Sequence, residues 1–251
     1  MQIKTKLRGV LKDFNKSNRE INKSTRELRH HSKKADDIYA MNILQPLLSN
    51  LPYLPFNGGA LRPICMAYIL NEIIINQREM VIEFGSGLST IVMARLIKKN
   101  KLNTRVISIE HNENWASILQ SYLENEGLQG FVEIVTVNLK ETETPLGPVK
   151  WYDYDTFLPV ISDKKFDLVI IDGPPADREK IKYSRFPALF KLENNLADDF
   201  CLMLDDANRE GEQDLVKYYR DRNEAFKYTL VSETLAVFRK TVDFNPIPIY
   251  Y

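Results

Sequence analysis

From Met80 onward, short runs of β-branched and apolar residues alternate with stretches whose apolar positions recur every three to four residues. The pattern predicts strands over 80–84, 104–110, 131–137, 166–171 and 200–205. Helices are predicted over 88–100, 113–126, about 178–196 and about 209–223. Strands joined through helical stretches imply parallel pairing by crossover connections. Two final runs, 225–231 and 234–239, are separated only by Ser232 and Glu233, too few residues for a crossover and enough for an antiparallel hairpin. The expected fold is α/β: a Rossmann-like, doubly wound, seven-stranded sheet ending in that hairpin. Residues 145–159, between the third and fourth strands, read as a long loop carrying Trp151, Tyr152, Asp153, Tyr154 and Asp155.

A different pattern occupies the first forty residues. Leu7, Phe14, Ile21, Leu28 and Ala35 recur every seven positions, with Ile3, Val10, Ser17, Ser24, His31 and Ile38 on the interleaved register. The polar middle weakens this seam, so the helix packs on a partner subunit or on its own domain rather than forming a strong zipper. Lys4, Lys6, Arg8, Lys12, Lys16, Arg19 and Lys23 beside the stripe also fit an anionic membrane surface, and a solvated charged arm is the third reading. The segment Asn50 to Gly59 gathers two prolines and two glycines before Arg62-Pro63 opens an apolar helical stretch to about Asn76. A helical extension over 1–50 and a main domain over 51–251 follow.

Charge sharpens that division. The chain holds 34 basic and 34 acidic side chains. Residues 1–40 hold 11 Lys/Arg and 5 Asp/Glu, a net +6, leaving 23 minus 29, or −6, for the rest. An acidic body opposes binding to a phosphate backbone and argues against a nucleic-acid partner. Cys65 and Cys201 stand far apart without metal-ligand or redox spacing, which points to a reducing, cytoplasmic setting. No run approaches eighteen apolar residues, and peripheral membrane contact would rest on the basic helix alone.

In an open α/β sheet the ligand lies at the carboxyl ends of the strands, near the switch in strand order. The first strand there breaks into glycine as Val81-Ile82-Glu83-Phe84-Gly85-Ser86-Gly87-Leu88-Ser89-Thr90. Gly85 and Gly87 let backbone approach a ligand, but Thr90 stands where a dinucleotide fingerprint needs a third small residue. Glu83 suits an ammonium better than a diphosphate. At the end of the second strand, Glu110 is placed for a ribose diol.

These residues resemble the class I S-adenosylmethionine-dependent methyltransferases over about residues 60–240. The sequence VIEFGSGLST matches the family's acid-x-Gly-x-Gly turn, VISIEHN its ribose-binding strand end, and FDLVIIDGPP its fourth strand. The resemblance implies a backbone cradle at Gly85, Ser86 and Gly87 for the methionine part, Glu110 on the ribose, and Asn138 near adenine. It places Asp172 beside the methyl group, as a base or to orient the acceptor, against the alternative of a carboxylate capping the Gly173-Pro174-Pro175 turn.

Asp205 and Asp206 end the next strand, and with Asp172 they form a candidate oxygen-ligand set for Mg2+. The set looks like that of metal-dependent O-methyltransferases, except that those carry an Asp-Asn pair; Asp206 as a helix cap is the alternative. Trp151 and Tyr152 offer faces to a sugar or small organic acceptor, or simply pack the loop down. Arg178, Tyr183 and Arg185 are candidates for receiving an anionic acceptor. The reaction expected is methyl transfer to a small-molecule or glycan hydroxyl. An aminopropyl transferase on the same scaffold, and a non-catalytic scaffold assembled as a homo-oligomer through the N-terminal helix, are the rivals.

Overall fold

The computed structural model describes residues 2–241 and 244–249, with the side chains of 2–14, Arg26, Arg29 and Leu189 outside the description. Helix α1 (Gln2–Leu48) and α2 (Pro63–Ile75) precede β1 (Met80–Phe84), α3 (Leu88–Asn100), β2 (Arg105–Glu110), α4 (Glu113–Asn125) and β3 (Val132–Thr136). Then follow β4 (Leu139–Thr142), β5 (Val149–Tyr152), α5 (Tyr154–Ile161), β6 (Phe166–Ile171), α6 (Pro187–Leu192), β7 (Leu196–Leu204), α7 (Glu210–Arg222), β8 (Lys227–Val231) and β9 (Leu235–Arg239). The main sheet has the order β3-β2-β1-β6-β7-β9-β8. Its first five strands are parallel, and β9 runs antiparallel to both β7 and β8. Ser232 and Glu233 turn the final hairpin with φ of 53° and 63°. The chain leaves β1 toward β2 and β3, then returns to place β6 on β1's other side, so the switch point lies between β1 and β6.

Apolar runs explain why this sheet is buried on both faces. Val81, Leu168, Ile170, Cys201 and Met203 face one layer, with α2 and α3. Ile82, Phe84, Val169, Ile171, Leu202 and Leu204 face the other, with Phe157, Phe186, Leu215 and Tyr219. Cys65 and Cys201 are buried in the core and form no disulfide. Helix α2 is buried nearly all round because α1 lies over it, contributing Ala40, Leu44 and Leu47 to the first layer. Arg62 fastens this junction, with Nε 3.1 Å from Asp37 Oδ2 and Nη1 2.7 Å from the hydroxyl of Ser232.

Several expectations need correction. The heptad seam does not meet the domain: Ser17, Ile21, Ser24, Leu28, His31, Ala35 and Ile38 are all exposed, while the seam side chains of Ile3, Leu7, Val10 and Phe14 lie outside the described residues. The supposed loop over 145–159 contains β5, which pairs antiparallel with β4, and most of α5. The alternation was short and interrupted by Pro145, Pro148 and Pro159, which hid both elements. The helix expected over 178–196 is broken into single 3₁₀ turns at Glu179–Ile181 and Glu193–Asn195 around the short α6, because Pro187 cannot donate a helical hydrogen bond and restarts the helix. Strand β7 starts at Leu196, four residues before the expected 200.

Among the described residues no helix is long and apolar enough to cross a membrane.

Candidate active site

A cleft of about 540 Å³ opens at the carboxyl ends of β1, β2, β6 and β7. Gly85, Ser86, Gly87, Glu110, Tyr152, Asp172 and Asp205 line it, joined by Gly58 and Gly59 from the proline-glycine segment. That segment read only as a boundary, yet it walls the site.

The β1–α3 turn is held by a network rooted in Glu83. This carboxylate is fully enclosed and accepts hydrogen bonds from Ser89 Oγ, Thr90 Oγ1 at 2.5 Å and Ser108 Oγ at 2.6 Å. With Ser108 donating to Glu83, its own 2.7 Å partner Ser86 Oγ must donate to Ser108, since each hydroxyl has one proton. Burial pushes the Glu83 carboxyl upward, and the three hydroxyl donors oppose that shift. Glu83 therefore does not meet a ligand directly, contrary to the sequence reading: it does not line the cleft.

The amides of the turn are also committed. Gly85 N–H donates to Ile109 O at 2.9 Å, Ser86 N–H to Glu110 Oε2 at 3.1 Å, and Gly87 N–H to Thr90 Oγ1 at 2.9 Å. Thr90, which spoiled the dinucleotide fingerprint, is thus the residue that closes the turn. The expected cradle supplies space rather than N–H donors, which leaves a diphosphate without the partners it needs. Gly85 has φ of +93°, and a Cβ there would stand 3.0 Å from the backbone of Asp172. Gly87 is extended, and a Cβ on it would meet nothing within 4 Å, so its missing side chain keeps the cleft open.

Glu110 reaches the cleft from β2. Its Oε1 accepts the N–H groups of His111 at 2.8 Å and Asn112 at 2.7 Å, so its spare capacity is on Oε2. Trp115, which the sequence reading passed over, donates Nε1–H to Ser86 O at 2.9 Å and lines the same wall. Asn138 is exposed and does not line the cleft. Trp151 is a correction as well: it is fully buried against Phe84 and Phe157, packing the core. Tyr152 differs from its neighbour in lining the cleft, although Trp151 Nε1 is likewise buried without a protein partner. Its hydroxyl has no protein hydrogen-bond partner, is buried at the cleft floor, and stands where a Cβ on Gly173 would lie 2.4 Å away. An orphaned hydroxyl there calls for a partner from the cleft.

At the far end, Asp172, Asp205 and Asp206 converge, each offering an oxygen within 4.8 Å of the others. The convergence expected from sequence is real. Arg185, however, stands among them with 4% of its side chain exposed. Its Nη2 lies 2.9 Å from Asp172 O and 3.2 Å from Asp172 Oδ1, its Nη1 3.1 Å from Asp205 O and 3.2 Å from Asp206 Oδ2, and its Nε 3.3 Å from Pro174 O. A magnesium ion bound at about 2.1 Å to either carboxylate oxygen would take an oxygen already paired with Arg185 and sit within about 5 Å of that guanidinium, a repulsion of about 7 kcal/mol at an effective dielectric of about 20 that offsets part of the carboxylates' attraction. The donor set as it stands does not fit a divalent metal. Burial and the neighbouring Asp205 charge push Asp172 well above the usual carboxylate range, against the pull of Arg185. Burial also moves Asp205 up to about 6.

Arg178 lies on the exposed rim beside Asp177, and Tyr183 points elsewhere, donating its hydroxyl to Asp214 at 2.8 Å. Asp206 caps no helix; it pairs with Arg209 at 2.8 Å.

The sequence profile of a family described as a methyltransferase domain matches residues 82–207, half of the chain and all of the strand ends just described. The chain belongs to this methyltransferase family. Its fold agrees. A methyltransferase from Geobacter sulfurreducens is 16% identical with a TM-score of 0.50, covering 81% of this chain and 88% of that one. A Staphylococcus aureus protein named as a caffeoyl-CoA O-methyltransferase is 14% identical with a TM-score of 0.53, over 87% and 98% of the two chains. At these identities the likeness concerns the fold alone. No curated protein matches the sequence at a significant level. The methyltransferase thus carries the class I architecture expected from its glycine turn and terminal hairpin.

Proposed function

We propose that the protein binds S-adenosylmethionine along the β1–β2 side of the cleft and methylates a hydroxyl of a small molecule or glycan at the β6 side. The observation that carries this reading is the placement of Glu110 and Asp172 in one cleft, with the open face of Gly87 and the unpartnered Tyr152 hydroxyl between the strands that bear them. When bound, S-adenosylmethionine supplies an electrophilic methyl group on a sulfonium. Glu110 Oε2 holds a ribose hydroxyl, Gly85 and Gly87 make room for the methionyl chain, and Tyr152 offers its hydroxyl to the ligand. Asp172 orients the acceptor hydroxyl and takes its proton; a carboxylate raised by burial is a stronger base near neutral pH than an exposed one. Positioning does the rest, since an in-line displacement needs little beyond alignment.

Calorimetry with S-adenosylmethionine, followed by a screen of sugars, phenols and hydroxy acids for released S-adenosylhomocysteine, tests this reading. Binding heat and product with a hydroxyl acceptor are expected. Absence of heat would leave only a scaffold, and preference for the decarboxylated cofactor would move the assignment to aminopropyl transfer.

A further inference from the structure

We propose that Arg185 is the resident counter-cation of this site and that methyl transfer here proceeds without a divalent metal. The inference rests on the reading of the cleft as a methyl-transfer site, and goes beyond it in assigning the charge that organises the acceptor end.

Asp172, Asp205 and Asp206 are disposed as a cation-binding set, and the guanidinium is already hydrogen-bonded or ion-paired into it. Its fork is pinned by backbone as well as by charge. Nε and both terminal nitrogens reach the carbonyls of Pro174, Asp205 and Asp172, which belong to the turns ending β6 and β7. Displacing the side chain would strand those carbonyls, and its 4% exposure leaves it no solvated alternative. A planar, permanently charged fork can span two carboxylates at once, which an ammonium cannot. Gripping Asp172 through Oδ1 fixes the carboxylate's direction and leaves Oδ2 for the acceptor hydroxyl. Arg185 thereby acts as a positioning residue, through Asp172. It also accounts for the Asp-Asp sequence at 205–206: a guanidinium pair favours a carboxylate over an amide at Asp206.

Electron paramagnetic resonance of Mn2+ with the full chain, stripped with EDTA, tests the claim without acceptor or cofactor. The wild type is expected to bind no Mn2+ below about millimolar concentration, while Arg185→Gln, which frees the three carboxylates, binds at least about tenfold tighter. Arg185→Lys restores the charge without the fork, so it should suppress Mn2+ binding again and recover part of the turnover lost in Arg185→Gln. Micromolar Mn2+ binding by the wild type would overturn the proposal, as would turnover that EDTA abolishes and Mg2+ restores. A folded Arg185→Gln with unchanged Mn2+ affinity would overturn it too. Should Arg185→Gln fail to fold, the wild-type measurements still decide. Because Mn2+ binding needs no S-adenosylmethionine, its outcome is separable from a failure of the methyl-transfer reading, which calorimetry reports.

Discussion

Neighbouring strands β1 and β6 each bring a carboxylate to the carboxyl end, the fully buried Glu83 and the part-buried Asp172 just past β6, and the protein satisfies them by opposite means. Three neutral hydroxyls surround Glu83, two of them from the first turn of α3. Asp172 has a guanidinium and two further acids. Hydroxyl donors stabilise a carboxylate without adding charge, so the Glu83 network is electrically self-contained and serves as a rigid anchor for the turn. The Asp172 cluster combines several charges in a desolvated space, where each ionisation depends on the others. The first arrangement builds a wall; the second leaves a carboxylate poised for chemistry. That contrast predicts different failures on substitution.

Asp172→Asn should have the largest effect. Turnover is expected to fall by about 10²- to 10⁴-fold, the usual contribution of a general base, with S-adenosylmethionine affinity nearly unchanged by calorimetry. An equal loss of cofactor affinity would place Asp172 in the binding wall and erase its distinction from Glu83. Glu83→Ala should behave in the opposite way. It strands three buried hydroxyls and should cost about 3 kcal/mol in denaturant unfolding, with cofactor affinity falling because Thr90 and Ser108 no longer hold the turn. Normal stability in Glu83→Ala would show that the hydroxyls re-pair among themselves.

The two sites were also unequally legible in the sequence. Glu83, Gly85, Ser89 and Thr90 lie within eight residues, and Glu110 ends the next strand, so periodicity alone put them at one sheet end. What periodicity could not give was direction: Glu83 faces inward to Ser108, a partner set by the β1–β2 register of Glu83 with Ser108. Asp172 and Asp205 were placed by the same strand-end rule. In the sequence Arg185 is legible only as a candidate for an anionic acceptor, because a helix across 178–196 would keep it on a surface; the break at Pro187 turns it inward. Trp151 and Tyr152 are both fully buried in one aromatic cluster with Phe84, and only Tyr152 also lines the cleft, a difference that pattern along the chain does not reveal.

Two glycines of the anchor wall sharpen the comparison at smaller scale. Gly85→Ala meets both a left-handed φ and backbone at 3.0 Å, and should cost about 1–3 kcal/mol of stability by thermal unfolding. Gly87→Ala has an ordinary extended backbone and open space, so stability should change by less than about 0.5 kcal/mol. Its methyl projects toward ligand space, and S-adenosylmethionine affinity should drop by about tenfold, or 1.4 kcal/mol. Unchanged affinity in Gly87→Ala would mean that the ligand does not approach this face of the turn.

The smallest expected effect lies behind the charged cluster. Glu212, in the first turn of α7, is 1% exposed, has no hydrogen-bond partner on either oxygen, and stands 3.7 Å from Arg185 Nη1. Burial pushes its carboxyl up to about 7 from an ordinary 4.5, despite the Arg185 charge. The folded protein therefore keeps a proton that the unfolded chain releases above 4.5, so stability is complete below that pH and declines until about 7. Asp205, raised from 3.8 to about 6, adds a decline over its own lower window. Glu212→Gln removes the first contribution but not the second. Its melting temperature should gain on the wild type steadily between pH 5 and 7, by a few degrees in all, and then run parallel. Parallel curves across the whole range would mean that Glu212 is ionised throughout and that the Arg185 charge outweighs burial there, as it does not at Asp172. The acid cluster would then hold its charge as firmly as the hydroxyl-capped wall, and the contrast between the two sites would lie in chemistry alone.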